Sequence, residues 1–133
     1  MSSFIDKLAW IRIENRRVLS TLSKGKETFY IPGGKRKPGE SDEEALRREI
    51  REELSVELVP ETIRPFGVFE AQAHGKTEGV VVRMTCFMAD FRGELRAAAE
   101  IERFEWLDFS GQEKSSPVDK LIFAELKERD LID

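Results

Sequence analysis

Three glutamates within five residues, Glu49, Glu52 and Glu53, are the side chains of this 133-residue sequence best placed to do chemistry. On a helix, at about 100° per residue, Leu46, Ile50 and Leu54 fall on one apolar stripe, and the three carboxylates sit beside it within an arc of about 100°. Glu49 stands at the i,i+3 and i,i+4 spacings from the other two, which brings their side chains together. Like charges so placed cost a surface helix about a few tenths of a kcal/mol, and more where the stripe partly buries them, so a compensating cation is expected. Hard carboxylate oxygens suit Mg²⁺, which commonly takes one or two carboxylates together with substrate phosphate oxygens.

The same helix also reads as a solvated, salt-bridged surface, because Glu44 with Arg48 and Arg48 with Glu52 are i,i+4 pairs of opposite charge. The segment ahead of it decides between the two. Pro32 to Glu40 holds Gly33, Gly34 and Gly39, two prolines and the cations Lys35, Arg36 and Lys37, a composition that shapes backbone and predicts a loop. Ser41 followed by Glu44 is a capping-box pattern, and Asp42, Glu43 and Glu44 place negative charge at the positive end of a helix that should run to about Leu54.

The spacing through this region is Gly34, five residues, Glu40, seven residues, then Arg48-Glu49-Ile50-Arg51-Glu52-Glu53, one residue, Ser55 and Val56. It resembles the Nudix box, here residues 34–56, which asks for glycine, glutamate, arginine-glutamate-aliphatic-any-glutamate-glutamate and any-glycine-aliphatic. Ser55, in place of the second glycine, is the sole departure. It falls where the helix gives way to the following segment, and serine accepts a left-handed conformation less readily than glycine. The resemblance extends to Glu100, an acidic residue shortly ahead of Trp106.

That resemblance implies an α+β fold, a Nudix-type α/β/α sandwich with a mixed β-sheet between helices, filled by one domain over residues 1–133. It implies a Mg²⁺-dependent hydrolase (Mn²⁺ an alternative cation) that cleaves a diphosphate bond in a nucleoside diphosphate linked to some group X, a nucleoside triphosphate being the first guess. Glu49 and Glu53 would hold the metal directly, Glu52 would be a third ligand or an orienter, and the Gly33 carbonyl is a candidate to complete the site. Arg48 and Glu40 look like the family's structural ion pair, with Gly34 supporting the loop. The proton of the attacking water must go to a carboxylate; Glu49, Glu52 and Glu100 are candidates, with Glu52 or Glu100 favoured.

Lys35, Arg36 and Lys37 stand where cationic side chains could meet substrate phosphates, although exposed loop cations are also common, and Lys35 and Arg36 are the substrate-binding candidates. His74, the only histidine, falls in a stretch that reads as a turn. Phe4, Tyr30, Phe66, Phe69 and Phe87 could line a base-binding slot or pack the sheet, and the sequence does not separate the two roles.

Several elements must position these groups. Leu8 to Ile13 and Val18 to Leu22, around a turn at Glu14-Asn15, read as an antiparallel hairpin, and Thr28 to Ile31 as a strand ending at Pro32. Strands are expected over Ile63 to Ala73, Val80 to Phe91 and Ile101 to Phe109. Pro117 to Asp133 places Val118, Leu121, Ile122 and Leu126 at helical spacing, an amphipathic helix to pack on the sheet. The charged fraction of 36% is mixed in sign and the net charge is −4, which argues against nucleic-acid binding and requires a local cationic device for handling phosphate. Cys86 is the only cysteine, no apolar run approaches a membrane span, and the first residues lack a signal pattern, so a cytoplasmic protein is expected. A homodimer is compatible with the resemblance. The alternative to an enzyme is a non-catalytic, nucleotide-binding regulatory module on the same fold, which the presence of all three box glutamates disfavours; isomerase or glycosylase-like chemistry would call for further residues or an appended domain.

Overall fold

A computed structural model describes residues 3–73, 76 and 79–133, Ser3 by its backbone. His74 lies outside the described residues. The chain runs β1 (Ser3–Trp10), β2 (Ile13–Glu14), β3 (Arg17–Ser23), β4 (Phe29–Tyr30), β5 (Gly33–Lys35), α1 (Asp42–Leu54), β6 (Glu57–Leu58), β7 (Arg64–Gln72), β8 (Val80–Met88), β9 (Phe91–Arg92), β10 (Ile101–Leu107) and α2 (Pro117–Glu128). A mixed sheet has the order β5-β1-β8-β7, with β1 parallel to β8 and the other pairs antiparallel. A second sheet has the order β10-β3-β2, with β4 on β3, and β6 and β9 form a small ribbon.

Strand alternation in β1 explains the layering. Leu8 and Trp10 belong to a buried cluster with Ala45, Leu46, Ile50 and Leu54 of α1, whereas Ala9 and Ile11 belong to a second cluster with Val118, Ile122, Phe123 and Leu126 of α2. Successive side chains leave a strand on opposite faces, so the two helices cover opposite faces of the sheet. Burying Leu46, Ile50 and Leu54 completely contributes roughly 1.5–3 kcal/mol each and fixes the rotation of α1. Trp10 anchors the same face by donating its indole N–H to the Ala89 carbonyl at 3.0 Å.

Several sequence expectations are corrected. The segment after Pro32 is not all loop: Gly33 to Lys35 forms β5, because Gly33 fits against β1 where a Cβ would strike the Leu8 carbonyl. The hairpin is shorter than expected, since only Ile13 and Glu14 pair with β3 while β1 turns to β5 and β8. Val80 to Phe91 breaks after Met88 into β8 and β9. In α2, Phe123 is buried and Leu121 is 45% exposed. No helix among the described residues is long and apolar enough to cross a membrane.

Candidate active site

The helix α1 starts with a complete capping box. The Ser41 hydroxyl accepts from the Glu44 N–H at 3.1 Å, and the Glu44 carboxylate accepts from the Ser41 N–H at 3.0 Å. Glu44 is thereby turned to its own cap, so the Glu44–Arg48 pair expected from the spacing is absent. At the other end Ser55 takes the left-handed conformation, φ 65° and ψ 21°, and its hydroxyl donates to the Arg96 carbonyl at 3.2 Å. Serine therefore occupies the backbone shape for which glycine is usual, with a hydrogen bond offsetting part of the strain.

Arg48 ties the preceding segment to the helix. Its guanidinium donates to both Glu40 oxygens at 2.6 and 2.8 Å, to the Lys35 carbonyl at 3.1 Å and to Glu49 at 3.0 Å. Glu40 also accepts from the Lys37 N–H at 2.6 Å, and Arg48 with this amide holds its carboxyl down at about 2. A fork of this kind fixes β5 and α1 relative to each other.

A cavity of about 400 Å³ opens beside that junction, lined by Lys7, Tyr30, Gly33, Gly34, Lys35, Glu49, Glu53 and Glu100 among others. Gly34 permits the approach of Glu49: a Cβ there would stand 2.5 Å from the carboxyl carbon. Glu53 is 8% exposed and accepts from the Gly33 N–H at 3.2 Å. Burial pushes its carboxyl up to about 8; the Gly33 amide opposes this, and the charges of Glu49 and Glu100 add to it. Burial likewise raises Glu49 above the usual carboxylate range, against the pull of Arg48. Glu100 reaches the cavity from the segment before β10. The Ala98 N–H donates to the Glu53 carbonyl at 2.9 Å, and the Glu100 carbonyl accepts from the Lys24 N–H at 2.8 Å, so this segment is fastened both to the end of α1 and to the loop after β3.

The structure thus brings Gly33, Gly34, Lys35, Glu49, Glu53 and Glu100 around one cavity. It does not bring Glu52 there: that side chain is half-exposed and stands 3.5 Å from Arg48, on the solvent side of the helix. Arg36 is turned away as well, donating to Asp6 at 2.8 Å and pairing with Asp42. Sequence reasoning missed Lys7, Thr21, Ser23 and Met84, which line the cavity from β1, β3 and β8. It also missed Asp119 of α2, which is fully buried with its carboxyl pushed up to about 7; one oxygen accepts from the Ile31 N–H at 2.8 Å and the other has no partner in the structure. A lysine inside a strand pattern, Lys7 between Ile5 and Ala9, is the one signal that could have marked the wall.

The donor chemistry fits a divalent cation. The buried carboxyls of Glu49 and Glu53, which repel each other and are both held above the usual carboxylate range, are groups whose ionised forms a hard cation would stabilise, with oxygen its preferred ligand. As placed, no three His, Cys, Asp or Glu side chains among the described residues close on one point, so the carboxylates must draw together to share an ion.

Comparison with known proteins places this geometry in context. The family model described as the NUDIX domain matches residues 8–124. The crystal structure of the MutT protein of Bacillus halodurans is 25% identical, covering 90% of this chain and 79% of that one, with a TM-score of 0.68. The solution structure of the ORF135 protein of E. coli is 23% identical, with coverages of 95% and 92% and a TM-score of 0.73. The MutT protein of Methanosarcina mazei Go1 is 18% identical, with coverages of 97% and 96% and a TM-score of 0.73. The last two likenesses speak to the fold alone. No curated protein gives a significant match.

Proposed function

Since the chain belongs to the NUDIX domain family and is a hydrolase acting on pyrophosphate bonds, we propose that it cleaves the diphosphate of a nucleoside diphosphate linked to a further group X, with Mg²⁺ as its cation. A nucleoside triphosphate is the first substrate to try. The observation that supports this most directly is the gathering of Glu49, Glu53 and Glu100 with the β5 backbone and Lys35 on one cavity.

Glu49 and Glu53 would hold the cation, with the Gly33 carbonyl as a further candidate, whereas Glu52, turned to Arg48, would have to swing inward to join them; Mn²⁺ meets the same ligand requirements. When bound, the cation would neutralise charge on the diphosphate and make a water more acidic. The remaining work falls to the chain itself. Glu100 enters from a different segment than the two box glutamates, which leaves it free to accept the proton of the attacking water. Lys35 offers its ammonium to phosphate oxygens. Arg48 acts at one remove, keeping Glu49 oriented and β5 against α1. Arg36, engaged by two aspartates, takes no part in binding.

The test is phosphate or pyrophosphate release from a panel of nucleoside triphosphates and nucleoside diphosphate conjugates, measured with Mg²⁺, with Mn²⁺ and with chelator. Cation-dependent turnover of one class is expected and identifies X. Turnover that is undiminished in chelator, or none with either cation, would refute the proposal.

A further inference from the structure

The carboxylate cavity does not end at the glutamates. Lys7, Tyr30 and Met84 form part of its wall and also part of the wall of an adjoining, mainly apolar pocket lined by Ile5, Val82, Ala73 and Val118. The shared wall is where a molecule with its diphosphate by the glutamates would pass from its charged part to its organic part. Lys7 stands at that wall on β1, directly opposite Lys35 of β5, so both side chains leave the same face of the sheet. Among the described residues its ammonium makes no hydrogen bond and no ion pair; it lies over the face of Tyr30, 5.6 Å from the ring centre. Two lysines paired on one face of the sheet, one of them half-buried and without an ion-pair partner among the described residues, are an arrangement that an anionic ligand would relieve.

We propose that Lys7 is a substrate-binding residue whose ammonium contacts the phosphate joined directly to the organic part of the substrate, at the junction of the carboxylate cavity and the apolar pocket. The proposal rests on the reading of that cavity as a diphosphate site. Burial lowers the pKa of Lys7 below its ordinary value, and the charges of Asp119, Glu53 and Glu49 act in the opposite direction from beyond ion-pair distance. A phosphate arriving at hydrogen-bond distance would supply the close anion that these carboxylates do not. In this arrangement Lys35 and Lys7 address successive phosphates along one line, and Lys7 is the contact that survives in the product still carrying the organic group.

The experiment uses the four nucleoside 5′-monophosphates and their parent nucleosides as probes, bound to the intact protein in chelator and followed by calorimetry. Alongside it, Mg²⁺-dependent turnover is measured on the best substrate. Lys7→Met keeps the stem length and removes the charge, Lys7→Gln keeps a polar head should the methionine variant unfold, and Lys7→Arg restores a cation. We expect wild-type protein to bind at least one monophosphate, and Met or Gln to weaken that binding by about 10- to 100-fold, the scale of a lost hydrogen bond to a charged group. Binding of the matching nucleoside should stay unchanged, Arg should recover most of the loss, and the salt dependence of monophosphate binding should flatten in Met and Gln. A purely structural lysine would weaken nucleoside and monophosphate alike. The proposal is overturned if wild type binds no monophosphate, or if Met and Gln bind it within twofold of wild type. Lys7-dependent monophosphate binding without turnover would instead refute the hydrolase mechanism and leave this contact standing, whereas full turnover with unaltered binding in Met and Gln would do the reverse.

Discussion

Asp119 makes the stability of this fold depend on pH in an unusual direction. Its carboxyl is fully buried and holds its proton up to about 7, against an ordinary value of 3.8. Below the ordinary value both the folded and the unfolded chain carry the proton, and pH has no effect through this group. Between the two values the unfolded chain releases its proton and the folded chain keeps it, so the folded state loses ground steadily as pH rises. Above about 7 the loss is complete. At about 1.36 kcal/mol per pH unit the whole effect reaches roughly 4 kcal/mol, an upper bound because burial is relieved by local relaxation. Asp119→Asn removes the titration and retains an oxygen to accept from the Ile31 N–H. Urea unfolding of wild type and variant in chelator, from about pH 4 to about pH 8, should therefore show the variant gaining on wild type up to about pH 7 and holding a constant lead above it. Glu53 titrates in both proteins and cancels from the difference. Profiles that run parallel would refute the assignment of this proton to Asp119.

Glu53→Gln should lower turnover by about 100-fold or more while the protein remains folded, since it removes a charge and almost no volume; activity near wild type would sink the role given to Glu53. Gly34→Ala should displace the Glu49 carboxylate and cut kcat about 10- to 100-fold with little change in Tm, as the added methyl meets a side chain that can swing aside; unchanged kinetics would mean that Glu49 is not held where the cavity needs it. Ser55→Gly relieves a left-handed serine but loses the bond to Arg96, so unfolding free energy should move by less than ~1 kcal/mol, and a loss above ~2 kcal/mol by denaturant titration would contradict that balance. Arg36→Met should leave KM within about twofold and cost less than about 1 kcal/mol in stability, because its partners Asp6 and Asp42 are partly solvated; a large rise in KM would return Arg36 to the substrate.

Local signals were the most readable part of the sequence. Ser41 and Glu44 specify where α1 begins, and Leu46, Ile50 and Leu54 specify which face it buries, because each depends on neighbours within about two turns. The corrections fall where a distant residue decides. Gly33 to Lys35 has the composition of a loop and becomes a strand because β1 offers it a ladder. Glu52 shares a spacing with Glu49 and Glu53, yet the direction of the apolar stripe puts it toward water and Arg48. Arg36 looked available until Asp6, thirty residues earlier, claimed it. Asp119 gave no local sign of its environment, and Lys7 showed only as a cation inside a strand pattern, since what buries both comes from distant parts of the chain.

The parallel pairing of β1 with β8 sets an order of assembly. Lys7 faces Lys35 across one edge of β1 and Met84 across the other, so its second neighbour is made 77 residues later than itself. A growing chain that has not reached Val80 already contains all three box glutamates of α1 and the whole of β5, but its central strand still has one side bare. Closing so long a loop is slow relative to forming helices and hairpins. The carboxylate-bearing half must therefore wait, with β1 exposed to water and to other chains, until β8 arrives to cover its open edge. Protection of β1 comes late, and the cavity is complete only later still, when the segment carrying Glu100 follows β8 into place.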